Sequence, residues 1–578
     1  MVNLKAKPFY LQDKQIRWVQ ETLSSMTREE KAGQVFCPMG FSDDPKILSH
    51  LIQEIGVGGM MYRPDFAKNI RNTHRIIQQM AKIPLLLAAN TENGGNGLAF
   101  EGTSFGQPMA VAAAGGPGYA YRMGYTACAE GAALGLNWSF APIVDINMDF
   151  HNPITNVRTF GSDFRYVAAC GKAYLLAAKE NGVAACIKHF PGDGVDERDQ
   201  HILTSVNALS REEWDKTFGY VYTQLINQGA ETVMVGHIAL PAYASPEERF
   251  LPSSLSKSLM TGLLREKLGF NGVISTDATP MVGFTSAMPR EKAIPAAIAA
   301  GADIILFNKD LDEDYCFLLS GLEHGLLTEE RLNEAVMRIL ALKAKLCLPE
   351  KKEQDSLVPG EEALSVVGCE KHRVWAAEVA DKAVTLVKDT QHLLPLSPQK
   401  YRRVYLNVIQ KDLNPDHPFV LAWKQLFEQE GFSVSVRDRR VHITAQDMGD
   451  IPSMSPEKMA LMHEMYRSIR EARQSYDLYV YICNMENASN NTTLRLNWNV
   501  AFGLGDDAPW FTSEIPTLMI STAYPYHLFD APMVKTYINA YAGKPEFRRA
   551  VMDKIMGRSQ FCGVSPVDPF CGREDTRQ

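Results

Sequence analysis

The sequence predicts a (β/α)8-type barrel followed by a smaller α/β sandwich. Three observations carry this expectation. Short apolar runs alternate with helical stretches from Met1 to about Leu346; a charged, proline-containing stretch then breaks the pattern; and a second, shorter alternation follows it. At 578 residues the chain is too long for one ordinary core, so two domains are expected.

The first alternation contains the runs PLLLAAN (84–90), NWSFAPIVDIN (137–147), VAACIKHF (183–190), TVMVGHIAL (232–240), GVISTDA (272–278) and ADIILF (302–307). Between them lie stretches with helical apolar spacing, such as YAYRMGYTACAEGAALG (119–135). Strand-then-helix repetition implies parallel strands with crossover helices, and six or more units over this length favour a closed barrel over a Rossmann sheet. Residues 347–372 hold two prolines and many charges and read as a linker. The second domain, 373–578, is expected to place strands at 382–389, 402–410, 433–438, 477–485 and 515–524, with one helix over 456–476, and to end near Ser559. The polar tail GVSPVDPFCGREDTRQ is expected to be poorly ordered at its end.

Composition excludes several classes. The chain is 46% hydrophobic and 22% charged, with a net charge of -8. That leaves no electrostatic footprint for nucleic acid or an anionic membrane. No apolar run is long enough to span a bilayer. The N-terminal MVNLKAKPFYLQDKQ lacks a secretory pattern, so a cytoplasmic protein is expected. Neither GxGxxG after a first strand nor GxxxxGK[ST] supports nucleotide binding. The ten cysteines form no CxxC pair and read as reduced, mostly buried thiols. With no HExxH and no clustered His or Cys ligands, neither metal nor cofactor is expected.

In a barrel, chemistry gathers at the C-terminal ends of the strands. The polar residues directly after the apolar runs are Thr91-Glu92-Asn93, Asp145, Lys188-His189, His237 and Asp277. After Lys188-His189, a Pro-Gly-x-Gly turn leads into a loop carrying Asp199 and His201. Residues two apart in an extended segment face the same side. Asp199 can therefore fix the tautomer of His201 and make it a competent general acid. Asp277, at the tip of GVIST, can act as nucleophile or stabilise a cation, although Asp is also favoured as a helix N-cap. A carboxylate and an acid/base on one rim, with Lys and Arg nearby, fit glycosidic bond cleavage.

Several motifs, in order along nearly the whole chain, resemble glycoside hydrolase family 3, most closely its bacterial β-N-acetylglucosaminidase branch. They are LSSMTREEKAGQVF (23–36), NWSFAPIVDINMD, NPITNVRTFGSD (152–163), KHFPGDG, LPSSLSKSLMTGLLREKLGFNGVISTDATPM (251–281), AVTLVKD, LLPL (393–396) and STAYPYHL (521–528). The resemblance implies that Asp277 is the nucleophile of a retaining reaction. It implies that Asp199 and His201 form an acid/base dyad on a mobile loop, and that Arg158, Lys188 and His189 hold the sugar. Glu92, Asp193 and Met281 complete the set expected around the substrate. The second domain would be structural or shape the entrance.

Three departures from the branch stand out. Gly192-Asp193-Gly194 replaces GHG, Asp199-Gln200-His201 replaces Asp-Ser-His, and TENGGNG (91–97) replaces a DQEGG-like motif, with Thr91 at the expected sugar-binding Asp. The expectation is a retaining exo-β-glycosidase, a β-N-acetylhexosaminidase first, acting on a small carbohydrate. A β-glucosidase and a β-N-acetylglucosaminide phosphorylase stand as alternatives on the same scaffold, because a neutral imidazole base does not repel phosphate. A non-catalytic sugar-binding protein is the reading from another class; intact Asp277 and His201 argue against it. The assembly state is left open, a homodimer included.

Overall fold

The computed structural model describes residues 2–486, 489–496, 498 and 507–578. They divide into two compact units: Met1–Pro108, Gly116–Ala376 and Ser489–Thr492 in the first, and Met109–Gly115, Ala377–Ala488 and Thr493–Gln578 in the second.

The first unit is the barrel. Its sheet has nine strand segments, all paired in parallel. Two of them, Phe36–Cys37 and Met39–Gly40, flank Pro38 and behave as one interrupted strand. The first half pairs with Ile305–Leu306 and the second with Met61–Tyr62, so the ring closes across the proline. Pro38 lacks the N–H a continuous ladder needs, which explains the break. The other strands are Gly59–Tyr62, Leu86–Ala89, Trp138–Ser139, Ala184–Phe190, Thr232–Val235, Val273–Ala278 and Ile304–Leu306.

Two expected strands are shorter than their apolar runs. In 137–147 only Trp138–Ser139 is a strand, because Pro142 cannot donate and a single bridge from Ile143 to Lys188 follows. In 232–240 the strand stops before Gly236, and Ile238–Ala239 pairs instead with Ser205–Val206 in a small separate ladder.

The N-terminal end of the barrel is closed by charge. Asp303, fully buried just before the last strand, is bound by Arg265, Arg331 and Arg338. Side chains at this end carry stability, which leaves the opposite rim to function.

Residues 347–372, expected to be a linker, fold onto the first unit. They carry the helix Leu348–Glu353 and the 3-10 helix Glu361–Val366. Arg71 Nε donates to the Pro359 carbonyl at 2.8 Å, and His372 Nδ1 meets buried Glu130 at 2.8 Å. The charges that suggested a solvated tether are thus partly spent on the barrel surface.

On the helix Ala67–Met80, His74 is fully buried. Its Nδ1 donates to the Leu134 carbonyl at 2.8 Å, and Nε2 has no partner among the described residues. Burial pushes this imidazole down to about 4 from an ordinary value of 6.5. Between those values the unfolded chain takes a proton that the folded chain refuses, so stability falls as pH drops from about 6.5 towards 4. The loss attributable to His74 is on the order of 3 kcal/mol at most. A His74→Asn variant, which keeps an N–H for Leu134, is expected to show a flatter melting temperature over that window. Parallel pH profiles for both proteins would refute this.

The second unit has a six-stranded sheet in the order Thr385–Asp389, Thr536–Asn539, Thr517–Ser521, Leu478–Cys483, Arg403–Ile409, Ser433–Val436. Its only antiparallel pair among these is the first. Thr536–Asn539 was not expected as a strand. The single helix expected over 456–476 is two, Pro456–Met465 and Ile469–Ser475, because Ser468 and Glu471 form a capping box that starts a new helix. The tail is held in place at its end: the ammonium of Lys388, almost fully buried, donates to the Thr576 carbonyl at 2.9 Å. Five of the ten cysteines are buried, whereas Cys316, Cys347 and Cys562 are exposed.

Candidate active site

The rim at the C-terminal ends of the strands holds most of the expected residues. After Leu86–Ala89 the chain turns inward. The Thr91 hydroxyl is buried against Ser139 Oγ at 2.6 Å and Tyr174 OH at 3.2 Å, so it braces the barrel. The acidic group of this motif is one residue later. Glu92 accepts Arg158 Nε at 3.0 Å on one oxygen and Arg158 Nη2 at 2.9 Å on the other, which also lies 2.6 Å from Lys188 Nζ. Burial alone would raise the Glu92 carboxyl; the guanidinium and ammonium beside it hold it well below the ordinary carboxylate range. The cluster carries one net positive charge in a largely buried setting, suited to gripping hydroxyls or an anionic group. Gly94, Gly95 and Gly97 let this turn pack: a Cβ on Gly97, for example, would lie 1.9 Å from the Asn90 carbonyl oxygen.

The strand Ala184–Phe190 delivers Lys188 and His189 side by side. Asp145, fully buried, organises the second of these. It accepts the His189 N–H at 3.0 Å and the Asp193 N–H at 2.8 Å on Oδ1, and His189 Nδ1 at 2.7 Å on Oδ2. This fixes the imidazole with Nε2 facing Asp277, 3.9 Å from Oδ2. Asp145 was visible in the sequence as a strand-end carboxylate; its role as the support of His189 was not.

Asp277 ends the strand Val273–Ala278 and keeps 14% of its side chain exposed. Burial raises its carboxyl, but neighbouring imidazoles, His189 first among them, and the Ala278 N–H at 2.7 Å outweigh that and hold it below its ordinary value. It is thus an ionised, partly open carboxylate, as a nucleophile requires. His237 stands behind it: Nε2 donates to the Ala278 carbonyl at 2.9 Å and Nδ1 accepts from Ser254 Oγ at 2.8 Å. Burial keeps His237 below its ordinary value, consistent with a neutral support for the nucleophile strand.

The dyad has the geometry its spacing predicts. Asp199 Oδ1 lies 2.6 Å from His201 Nδ1 and also accepts the His201 N–H at 2.9 Å. Asp199 is fully buried, while 22% of the His201 side chain is exposed. Two residues that no sequence argument singled out complete this pair. The segment Ser489–Thr492 belongs to the same compact unit as the barrel. Within it, the Asn490 N–H donates to Asp199 Oδ2 at 2.7 Å, and Ser489 Oγ sits 3.0 Å from His201 Nε2. A Ser-Asn pair some 290 residues downstream carries no local signal that links it to the dyad.

Asp193 and Met281 are placed differently from the rest of the set. Asp193 is 2% exposed, and its carboxylate accepts Asn152 Nδ2 at 3.1 Å, the Gly194 N–H at 2.7 Å and Gln200 Nε2 at 3.1 Å. Its oxygens face protein donors. The two glycines around it are required by the turn: Gly192 has φ 120° and Gly194 φ 96°, and a Cβ on either would collide with Phe218 or the Ile146 carbonyl. Met281 is 8% exposed and precedes the short helix Val282–Thr285. Among the described residues, no three His, Cys, Asp or Glu side chains gather as metal ligands, and no helix is long and apolar enough to cross a membrane.

Comparisons with known proteins bear on the family and the fold. Residues 27–342 match the model described as "Glycosyl hydrolase family 3 N terminal domain". A Cellulomonas fimi protein named beta-N-acetylglucosaminidase/beta-glucosidase is 40% identical over the full length of both chains. A solved structure titled beta-glucoside phosphorylase BglX superposes with a TM-score of 0.89 at 44% identity, covering 99% of each chain. A β-N-acetylglucosaminidase of glycoside hydrolase family 3 from Paenibacillus sp. str. FPU-7 shares the fold, with a TM-score of 0.77 at 24% identity, over 95% of this chain and all of that one.

Proposed function

The chain belongs to glycosyl hydrolase family 3, and from that premise we propose that it is a retaining exo-β-glycosidase for terminal β-linked N-acetylglucosamine or glucose. The observation that carries the mechanism is the dyad: His201 Nδ1 is tied to Asp199 at 2.6 Å, which leaves Nε2 as the nitrogen that exchanges protons. Ser489 Oγ, 3.0 Å from Nε2, marks a position from which an oxygen can receive that proton.

In the first step Asp277 attacks the anomeric carbon while His201 Nε2–H protonates the departing glycosidic oxygen, so the C–O bond to the aglycone breaks as the ester to Asp277 forms. In the second step neutral His201 takes a proton from the acceptor, whose oxygen bonds to the anomeric carbon and releases Asp277 with overall retention. Arg158, Lys188, Glu92 and His189 bind the sugar hydroxyls. The breadth proposed for the sugar has two supports. One is the name of the full-length Cellulomonas relative. The other is the withdrawal of Thr91 into the barrel, which removes the side chain expected at the family's sugar-binding Asp.

Phosphate as the acceptor is a second reading with its own support. A neutral imidazole repels an incoming anion less than a carboxylate base would, the Arg158–Lys188–Glu92 cluster is net positive, and a relative 44% identical over its whole length is titled a β-glucoside phosphorylase. The deciding experiment is nitrophenol release from β-nitrophenyl GlcNAc, GalNAc, glucose, galactose and xylose, with and without phosphate. Turnover of GlcNAc and glucose substrates is expected. Sugar 1-phosphate as the main product would establish phosphorolysis; turnover confined to galactose or xylose would overturn the proposed sugar.

A further inference from the structure

We propose that Gln200 is a positioning residue that locks the acid/base loop onto the barrel, through Asp193 on one side and the His237 main chain on the other. The proposal rests on the reading of Asp199 and His201 as the acid/base.

Gln200 stands between the two dyad residues, yet it is 1% exposed and points away from the opening. Its amide is used at both ends. Nε2 donates to Asp193 Oδ2 at 3.1 Å, and Oε1 accepts the His237 N–H at 2.7 Å. The orientation is set by the His237 main-chain N–H, which can only donate and so takes the amide oxygen, leaving the amide nitrogen for Asp193. Neither serine nor alanine could span this gap. Two of the three positions where the sequence departs from the β-N-acetylglucosaminidase pattern, 193 and 200, therefore bond to each other. These two departures form one device.

The surroundings are shaped to receive it. A Cβ on Gly236 would lie 2.8 Å from Gln200 Oε1. One on Gly283 would lie 2.5 Å from the Gln200 carbonyl oxygen and 2.7 Å from that of Leu203. Glycine at both places lets the loop settle against the strand end and the helix after the nucleophile. Two further bonds tie it there: the Val282 N–H donates to the His201 carbonyl at 3.0 Å, and Thr204 Oγ1 donates to the Gly283 carbonyl at 2.9 Å.

The lock also joins the two halves of the chemistry. Asp145 holds the Asp193 N–H, Asp193 holds Gln200, Gln200 holds the His237 main chain, and the His237 ring holds the carbonyl of Ala278, next to Asp277. One buried network thus spans from the support of His189 to the nucleophile, with the dyad loop as a link in it. Networks of this kind rigidify when every member is satisfied. The loop is pre-set for proton transfer.

The test compares Gln200→Ala, Gln200→Met and Asp193→Ala with the unaltered protein and with His201→Ala. Gln200→Met keeps the volume and loses both hydrogen bonds, which guards against reading a cavity as a lost lock. The expected result is a loss of about 10²-fold in kcat/KM on alkyl glycosides, the scale of a misplaced catalytic group. Dinitrophenyl glycosides, which need no acid, should change little. Gln200→Ala combined with Asp193→Ala should lose less than the product of the two single losses, since both remove the bond between these residues. Amide hydrogen exchange of residues 195–203 should quicken in each variant. Wild-type exchange and wild-type leaving-group dependence in Gln200→Met would overturn the lock. If His201→Ala itself showed no dependence on the leaving group, the acid/base reading would fall; the exchange experiment would still decide whether the loop is locked.

Discussion

An Asp277→Ala variant is expected to lose on the order of 10⁵ in kcat/KM, the scale reached when a covalent catalyst loses its nucleophile. The geometry explains why nothing nearby can substitute. Asp145 is fully buried and committed to three donors, and Glu92 is committed to Arg158 and Lys188. Asp277 is the strand-end carboxylate that combines partial exposure with a carboxyl held below its ordinary value. Added azide should restore part of the activity on an activated glycoside and yield a product of inverted configuration, because the small anion enters the space the carboxylate vacated. A slow fluorinated substrate should label Asp277 in the unaltered protein, as peptide mass spectrometry would show. Label on another residue, or more than a hundredth of normal activity in the variant, would remove Asp277 from the role. Because its carboxyl is depressed, the acidic limb of the unaltered enzyme's activity should lie below the ordinary carboxylate range, where Asp277 finally takes up a proton.

The second large effect is at His201. Replacement by alanine should cost about 10²–10⁴-fold on unactivated glycosides, the range general acid–base catalysis supplies. It should cost far less in the first step for a dinitrophenyl leaving group, which departs unprotonated. The second step should still be slow, because no base remains for the acceptor. An activated substrate should therefore show a burst followed by a slow steady state. Asp199→Asn should weaken both steps by a smaller factor, since its amide can still accept from Nδ1 but no longer stabilises the imidazolium. Equal losses on good and poor leaving groups in His201→Ala would mean that another group donates the proton.

The barrel was legible because its strands are buried on both faces and so read as continuous apolar runs. What escaped was set by tertiary closure. Phe36–Cys37 and Met39–Gly40 are too short to announce themselves, and Thr536–Asn539 is a four-residue interior strand, one of whose two partners, Thr385–Asp389, lies about 150 residues earlier in the chain. The site followed the same division. Asp277, the Asp199–His201 pair and the Lys188–His189 step sit at ends of readable strands or at a two-residue spacing. The functions of Asp145 and His237, and the bond from His237 to Gln200, lie in hydrogen bonds between residues 37 to 48 positions apart, and those of Ser489 and Asn490 in bonds across about 290 positions. No local pattern encodes such pairs. Asp193 looked like a sugar ligand because it stands in the PGDG turn; the structure turns its oxygens to protein donors.

The strand interrupted at Pro38 also sets an order in time. Its second half, Met39–Gly40, finds Met61–Tyr62 about twenty residues later, while its first half pairs with Ile305–Leu306, about 270 residues on. At about 5–20 residues per second, a ribosome needs roughly 15–50 seconds to make that partner. Through that interval the nascent chain carries Phe36 and Cys37, both fully buried in the finished fold, with their edge unpaired. The proline seam thus separates an edge that can be satisfied at once from one that must be sheltered until the last barrel strand is synthesised.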